Sequence, residues 1–178
     1  MALVVRAFPV RDRNGVDAFV RELAVRSAEA REFYTGLGVR RESWFLQEGG
    51  NGEVVIGVTE VEDPIAPKAE RYADAWDPFS TWFKAHVYAL SGVDPDTAPM
   101  GPVSDMVHDA TNGVLPANAK LTVRVYPLSG NREIAELVDD LRPRAEALFV
   151  QRMENGPLVI AVHAADRDAS EPIYEFVA

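Results

Sequence analysis

The stretch Glu42 to Val58, ESWFLQEGGNGEVVIGV, recurs without a gap as Glu146 to Val162, EALFVQRMENGPLVIAV. Eight of the 17 aligned positions are identical: Glu42/Glu146, Phe45/Phe149, Gln47/Gln151, Asn51/Asn155, Gly52/Gly156, Val55/Val159, Ile56/Ile160 and Val58/Val162. Ordinary residue usage gives roughly one match by chance over such a window. The chain therefore contains an internal duplication, which constrains its architecture more tightly than any single motif does.

Working upstream, Leu3 to Pro9 (LVVRAFP) matches Leu121 to Pro127 (LTVRVYP) at an offset of 118 residues. The same offset carries Val16, Phe19, Val20 and Leu23 onto Ile134, Leu137, Val138 and Leu141. That i, i+3, i+4, i+7 spacing marks the buried stripe of an amphipathic helix in both copies. The offset then falls to 104, so the first copy holds 14 extra residues. This is close to four helical turns, and it predicts a first helix about 21 Å longer than its counterpart, running from an Asn14 cap to Thr35 with the overhang beginning near Ala24.

The order strand, helix, strand, hairpin, strand occurs twice. Asn51-Gly52 and Asn155-Gly156 supply the positive-φ residues that tight hairpins need. Gly36 and Gly38 stop the first helix. Asp63-Pro64 and Asp77-Pro78 each read as a cap followed by a first-turn proline, opening helices over 68–75 and 78–90. The second of these carries Phe79, Trp82, Phe83, His86, Val87 and Leu90 on one stripe, which must pack on a sheet. Segment 93–118 contains four prolines and little periodicity and reads as a connector, with 101–108 available as a short edge strand. The second copy ends before a second long helix, and 173–177 can add a last strand. The expected organisation is a first repeat over 1–92, a connector over 93–118 and a shortened repeat over 119–178.

Composition excludes several function classes. A chain of 178 residues with 47% hydrophobic content buries a core without staples. Cysteine is absent, which removes disulfides, thiolate catalysis and cysteine-ligated metals, and with no visible signal segment the expected location is the cytoplasm. No apolar run approaches membrane-spanning length. A net charge of −10 and a pI near 4.8 argue against nucleic-acid binding. There is no G-x-S-x-G elbow, no G-x-G-x-x-G loop and no G-x-x-x-x-G-K-[ST] loop, and the carboxylates are scattered as on a solvated acidic face. His108 and His163 lack a partner at metal-ligand spacing, so no metal site is expected.

Two strand–helix–strand–strand units, each with a helix on one sheet face, imply an α+β chain of duplicated ferredoxin-like half-domains, their bare antiparallel sheets covering one another. This resembles the dimeric α/β-barrel superfamily with two subunits fused into one chain. The segments WFLQEGGNGEVVIGVTEVED and FSTWFKAHVYALSGVD, within 1–94, also resemble an uncharacterised bacterial domain family. The second resemblance brings no known activity with it, and the leading expectation is a fused barrel that binds a small apolar or anionic molecule as monomer or homodimer. Two further expectations stand beside it: a cofactor-independent monooxygenase or haem-handling enzyme, and a self-associating protein without ligand. Whether the chain is an enzyme, and with which cofactor, stays open.

Six residues are the ligand-binding candidates. Trp44 on a strand, and Tyr34, Trp82 and His86 on helices, outline a pocket in the first copy, where aromatic residues including Tyr72, Trp76 and Tyr88 are dense. Some superfamily members bind haem through a histidine on the corresponding helix, which would give His86 that role; packing is the ordinary alternative. Arg6 and its copy Arg124 are the remaining two. Alternation puts Arg6 with Phe8 and Arg124 with Tyr126, and if those faces line the seam between sheets the two arginines meet Gln47 and Gln151 there. The competing expectation is that each arginine pairs with a strand carboxylate such as Glu53 or Glu60.

Overall fold

A computed structural model describes residues 1–62, 65–99, 101–115, 120–128, 131–154, 156–164 and 171–178. Within these lie strands β1 (Ala2–Pro9), β2 (Val39–Glu48), β3 (Glu53–Val61), β4 (Ser104–Asp109), β5 (Leu121–Pro127), β6 (Ala147–Met153), β7 (Gly156–Ala164) and β8 (Tyr174–Val177). The helices are α1 (Arg13–Val25), α2 (Ser27–Gly36), α3 (Ala66–Asp74), α4 (Pro78–Ser91) and α5 (Asn131–Leu141). The chain is α+β, with two four-stranded antiparallel sheets ordered β1-β3-β2-β8 and β4-β6-β7-β5.

The duplication extends to strand register. Val5 faces Val58 and Phe45 faces Ile56 in the first sheet; Val123 faces Val162 and Phe149 faces Ile160 in the second. These are the aligned residues of the two copies. The fourth strand of each copy is exchanged: β4 follows the first repeat but pairs with β6 of the second, while β8 returns to pair with β2 of the first. Each sheet is thus completed by the other half of the chain.

The two sheets pack face to face. Leu3, Val5, Ala7, Phe45, Ile56 and Val58 from one meet Leu121, Val123, Phe149, Ile160 and Val162 from the other in a single dry core. Among the described residues no backbone ladder joins the sheets into a closed barrel. Side chains make the connection instead, through Gln151 on Ala7 and Ser104 on the Val5 carbonyl. The opposite face of the first sheet carries α1, α2, α3 and α4 over a second core, and α5 covers the outer face of the second sheet over a third.

Three helix expectations need correction. The predicted long first helix is two helices, because Arg26 (φ −90, ψ 28) interrupts it after Val25. The Arg26 guanidinium binds Glu29 at 2.7 Å and lies 4.2 Å from the centre of the Trp82 ring, and the bend turns Ala30 and Tyr34 into the core. The cap position of α1 is Asp12, not Asn14. Helix α3 starts at Ala66 with Pro67 in its first turn; Asp63 and Pro64 lie outside the described residues, as does Asn155 of the second hairpin. Helix α4 is capped as its sequence predicts, the Asp77 carboxylate accepting from the Phe79 and Ser80 amides at 3.0 Å, and Gly92 ends it at φ +75. No described helix is long and apolar enough to cross a membrane.

Candidate functional site

Across the helix-covered face of the first sheet, Arg6, Gly57 and Trp44 form one row: Arg6 is registered with Gly57 on one side and Trp44 with Gly57 on the other. Gly57 contributes no side chain between its two large neighbours, and its backbone is ordinary extended strand rather than the left-handed conformation that requires glycine. The gap it leaves is the floor of a cavity of about 130 Å³. Phe19 of α1, Phe33 and Tyr34 of α2, Tyr72 of α3 and Phe83 and Leu90 of α4 roof it. An apolar cavity of about 150 Å³ holds one benzene ring, so the space accepts a ligand of single-ring size.

The next residue pair along the sheet is polar. Glu42, 8% exposed, lines the cavity, and both its oxygens are held: Trp44 Nε1 donates to Oε1 and Thr59 Oγ1 donates to Oε2, each at 2.6 Å. Burial pushes the Glu42 carboxyl up to about 7, and the hydrogen bonds from Thr59 and Trp44 only partly oppose it. The phenols of Tyr34 and Tyr72 are raised by burial and then by the Glu42 charge, and Tyr174 is raised to about 12 for the same reasons. The Tyr34 hydroxyl is fully buried beside that of Tyr174.

Arg6 supplies the cavity's cation. Among the described residues its one side-chain bond is long, Nη1 to Ser104 Oγ at 3.5 Å, and its buried Nε has no partner. Burial lowers the affinity of the guanidinium for its proton, yet an arginine stays charged in a protein. Neither carboxylate anticipated for it is engaged with it: Glu53 pairs with Arg13 at 3.1 Å, and Glu60 accepts from the Leu115 amide at 2.5 Å. Among the described residues Arg6 has no ion-pair partner, Glu42 included.

Of the six residues singled out from sequence, Arg6, Tyr34 and Trp44 come together around this cavity. Trp82 packs behind its wall, its ring tilted against Phe19 at 5.2 Å. His86 lies outside the cavity, its Nδ1 2.8 Å from the Trp82 carbonyl and its ring parallel to Phe19 at 5.2 Å. Arg124 is exposed on the second sheet. The expectation that both arginines meet Gln47 and Gln151 at the seam is overturned, since Arg6 is on the helix side while Gln151 is in the core between sheets. Trp76 and Tyr88 are exposed.

Glu42 was missed by sequence reading, although it is one of the eight identical positions. Its copy Glu146 precedes β6, is half-buried and accepts from the Ala164 amide at 2.7 Å. A glutamate at a position identical in both copies, two residues from Trp44 in a strand, was the available signal. Among the described residues no cluster of histidine and carboxylate side chains could hold a metal. No family model, no curated protein and no solved structure matches the chain, so the functional reading rests on this geometry.

Proposed function

We propose that the protein binds a small ring-sized molecule bearing an anionic group in the cavity between the first sheet and its helices. The observation that carries this reading is Arg6, a half-buried guanidinium at the edge of an aromatic cavity with no ion-pair partner among the described residues. A guanidinium offers a rigid fork of donors suited to a carboxylate, and the aromatic walls suit the ring that carries it. A purely structural chain would leave the buried Arg6 Nε unmatched, at about 1–3 kcal/mol.

The exchanged fourth strands and face-to-face sheets support the finer fold reading, a dimeric α/β-barrel arrangement fused into one chain, and a cysteine-free sequence fits work in the cytoplasm. The acidic balance supports a small-molecule partner over nucleic acid. Benzoate and its neutral analogue benzyl alcohol test the proposal. Benzoate should shift the Trp44 indole N–H resonance in a saturable way and benzyl alcohol should bind more weakly; equal binding of the two, or none, would contradict it.

A further inference from the structure

The cavity holds more than a cation and a ring slot, and this inference rests on the binding reading above. Glu42 places a carboxyl group against the space a ligand would fill. Trp44 Nε1–H can only donate, so Oε1 stays an acceptor in either protonation state. The Thr59 hydroxyl can both donate and accept, so Oε2 keeps its hydrogen bond whether Glu42 is ionised or carries a proton there. No cation within ion-pair distance locks the carboxylate among the described residues. Each oxygen retains a further lone pair for a third partner. In the same cavity the Tyr34 O–H is buried beside the Tyr174 hydroxyl.

We infer that Glu42 and Tyr34 form a proton-transfer pair that enolises a ring ketone carrying an anionic group held by Arg6. The Glu42 carboxylate removes a proton from the carbon beside the ketone. The C–H pair becomes the new C=C bond, the carbonyl π pair moves onto oxygen, and the enolate oxygen accepts a hydrogen bond from Tyr34 O–H. Glu42 then returns its proton to the same carbon or to a conjugated one. The outcome is exchange or isomerisation, with no oxidant, reductant or co-reactant. A carboxyl raised to about 7 is partly ionised at neutral pH and still basic enough for such a step. The groups that face Glu42 are Tyr34 from α2, Tyr72 from α3 and Tyr174 from β8, with Arg6 of β1 in the same cavity; none of the phenols ionises near neutrality, so the profile should report Glu42 alone.

The probe is 4-oxocyclohexanecarboxylate in deuterated buffer, with cyclohexanecarboxylate as the binding control, both followed by proton NMR. The protein should speed deuterium entry beside the carbonyl, with a rate that rises as pH passes through about 7. Glu42→Gln keeps an acceptor for Trp44 and should lower the rate at saturating probe by roughly 100-fold or more. Tyr34→Phe should lower it by roughly 100-fold. If the control binds but wild type exchanges no faster than buffer, or Glu42→Gln exchanges as wild type does, the proton-transfer pair is overturned and the binding reading stands. If the control does not bind, both fall.

Discussion

Gln151 and Ala7, 144 residues apart, are joined by two hydrogen bonds: the Ala7 amide donates to Gln151 Oε1 at 2.8 Å, and Gln151 Nε2 donates to the Ala7 carbonyl at 2.7 Å. The side-chain amide takes the place of a neighbouring strand's backbone, fastening β1 of the first sheet to β6 of the second. Gln151 is fully buried, so water cannot replace it.

Gln151→Leu should therefore destabilise the whole chain, leaving two buried backbone groups unpaired at about 1–3 kcal/mol each. Urea unfolding measures this. A loss below ~1 kcal/mol would mean that the sheets are held by apolar packing alone.

Much of this architecture is legible in the sequence, because a repeat conserves side-chain periodicity and register together. The hairpin alignment of Glu42 to Val58 on Glu146 to Val162 carries over to the pairings Phe45–Ile56 and Phe149–Ile160. The exchange of β4 and β8 is not legible, since alternation marks a strand without naming its partner. Nor is the face of Arg6: β1 is buried on both sides, so period two sorts its residues into two sets and leaves open which set faces the helices. The bend at Arg26 depends on the tertiary contacts of its guanidinium with Trp82 and Phe79, which local propensity does not contain. The aromatic part of the site was readable from composition. Its polar part was not, because Glu42 gains its character from burial against Thr59 and Trp44.

Glu42 also gives the fold a distinct pH response. Its carboxyl titrates near 7 in the folded protein against an ordinary 4.5, so between these values the folded chain holds a proton that the unfolded chain has released. Stability conferred below 4.5 is therefore lost as pH rises to about 7, by about 3 kcal/mol for this group. Glu42→Gln, uncharged throughout, should be more stable than wild type by about that amount near pH 8 and close to it below pH ~4.5. Urea midpoints for the two proteins across this range check the difference; a constant offset would show that the carboxyl is not held in its protonated form by the fold.

Gly57→Ala probes the floor of the cavity without straining the backbone. The new methyl would sit 3.4 Å from Glu42 Oε1 and 3.9 Å from Trp44 Cδ1. Overpacking by about 1–3 kcal/mol against a bound ring weakens benzoate binding roughly 10- to 100-fold, whereas the free protein, gaining a residue better suited to a strand, should keep its stability. Unchanged benzoate affinity in a folded Gly57→Ala protein would place the ring elsewhere.

The most direct test of the anion site is calorimetric titration of benzoate into wild type and Arg6→Met. Methionine keeps most of the apolar stem and removes the charge. Loss of a charge-assisted pair worth about 1.5–3 kcal/mol should weaken binding roughly 10- to 100-fold while benzyl alcohol affinity stays the same. Equal benzoate affinity in the two proteins would contradict the assignment of Arg6 as the residue that holds the anion.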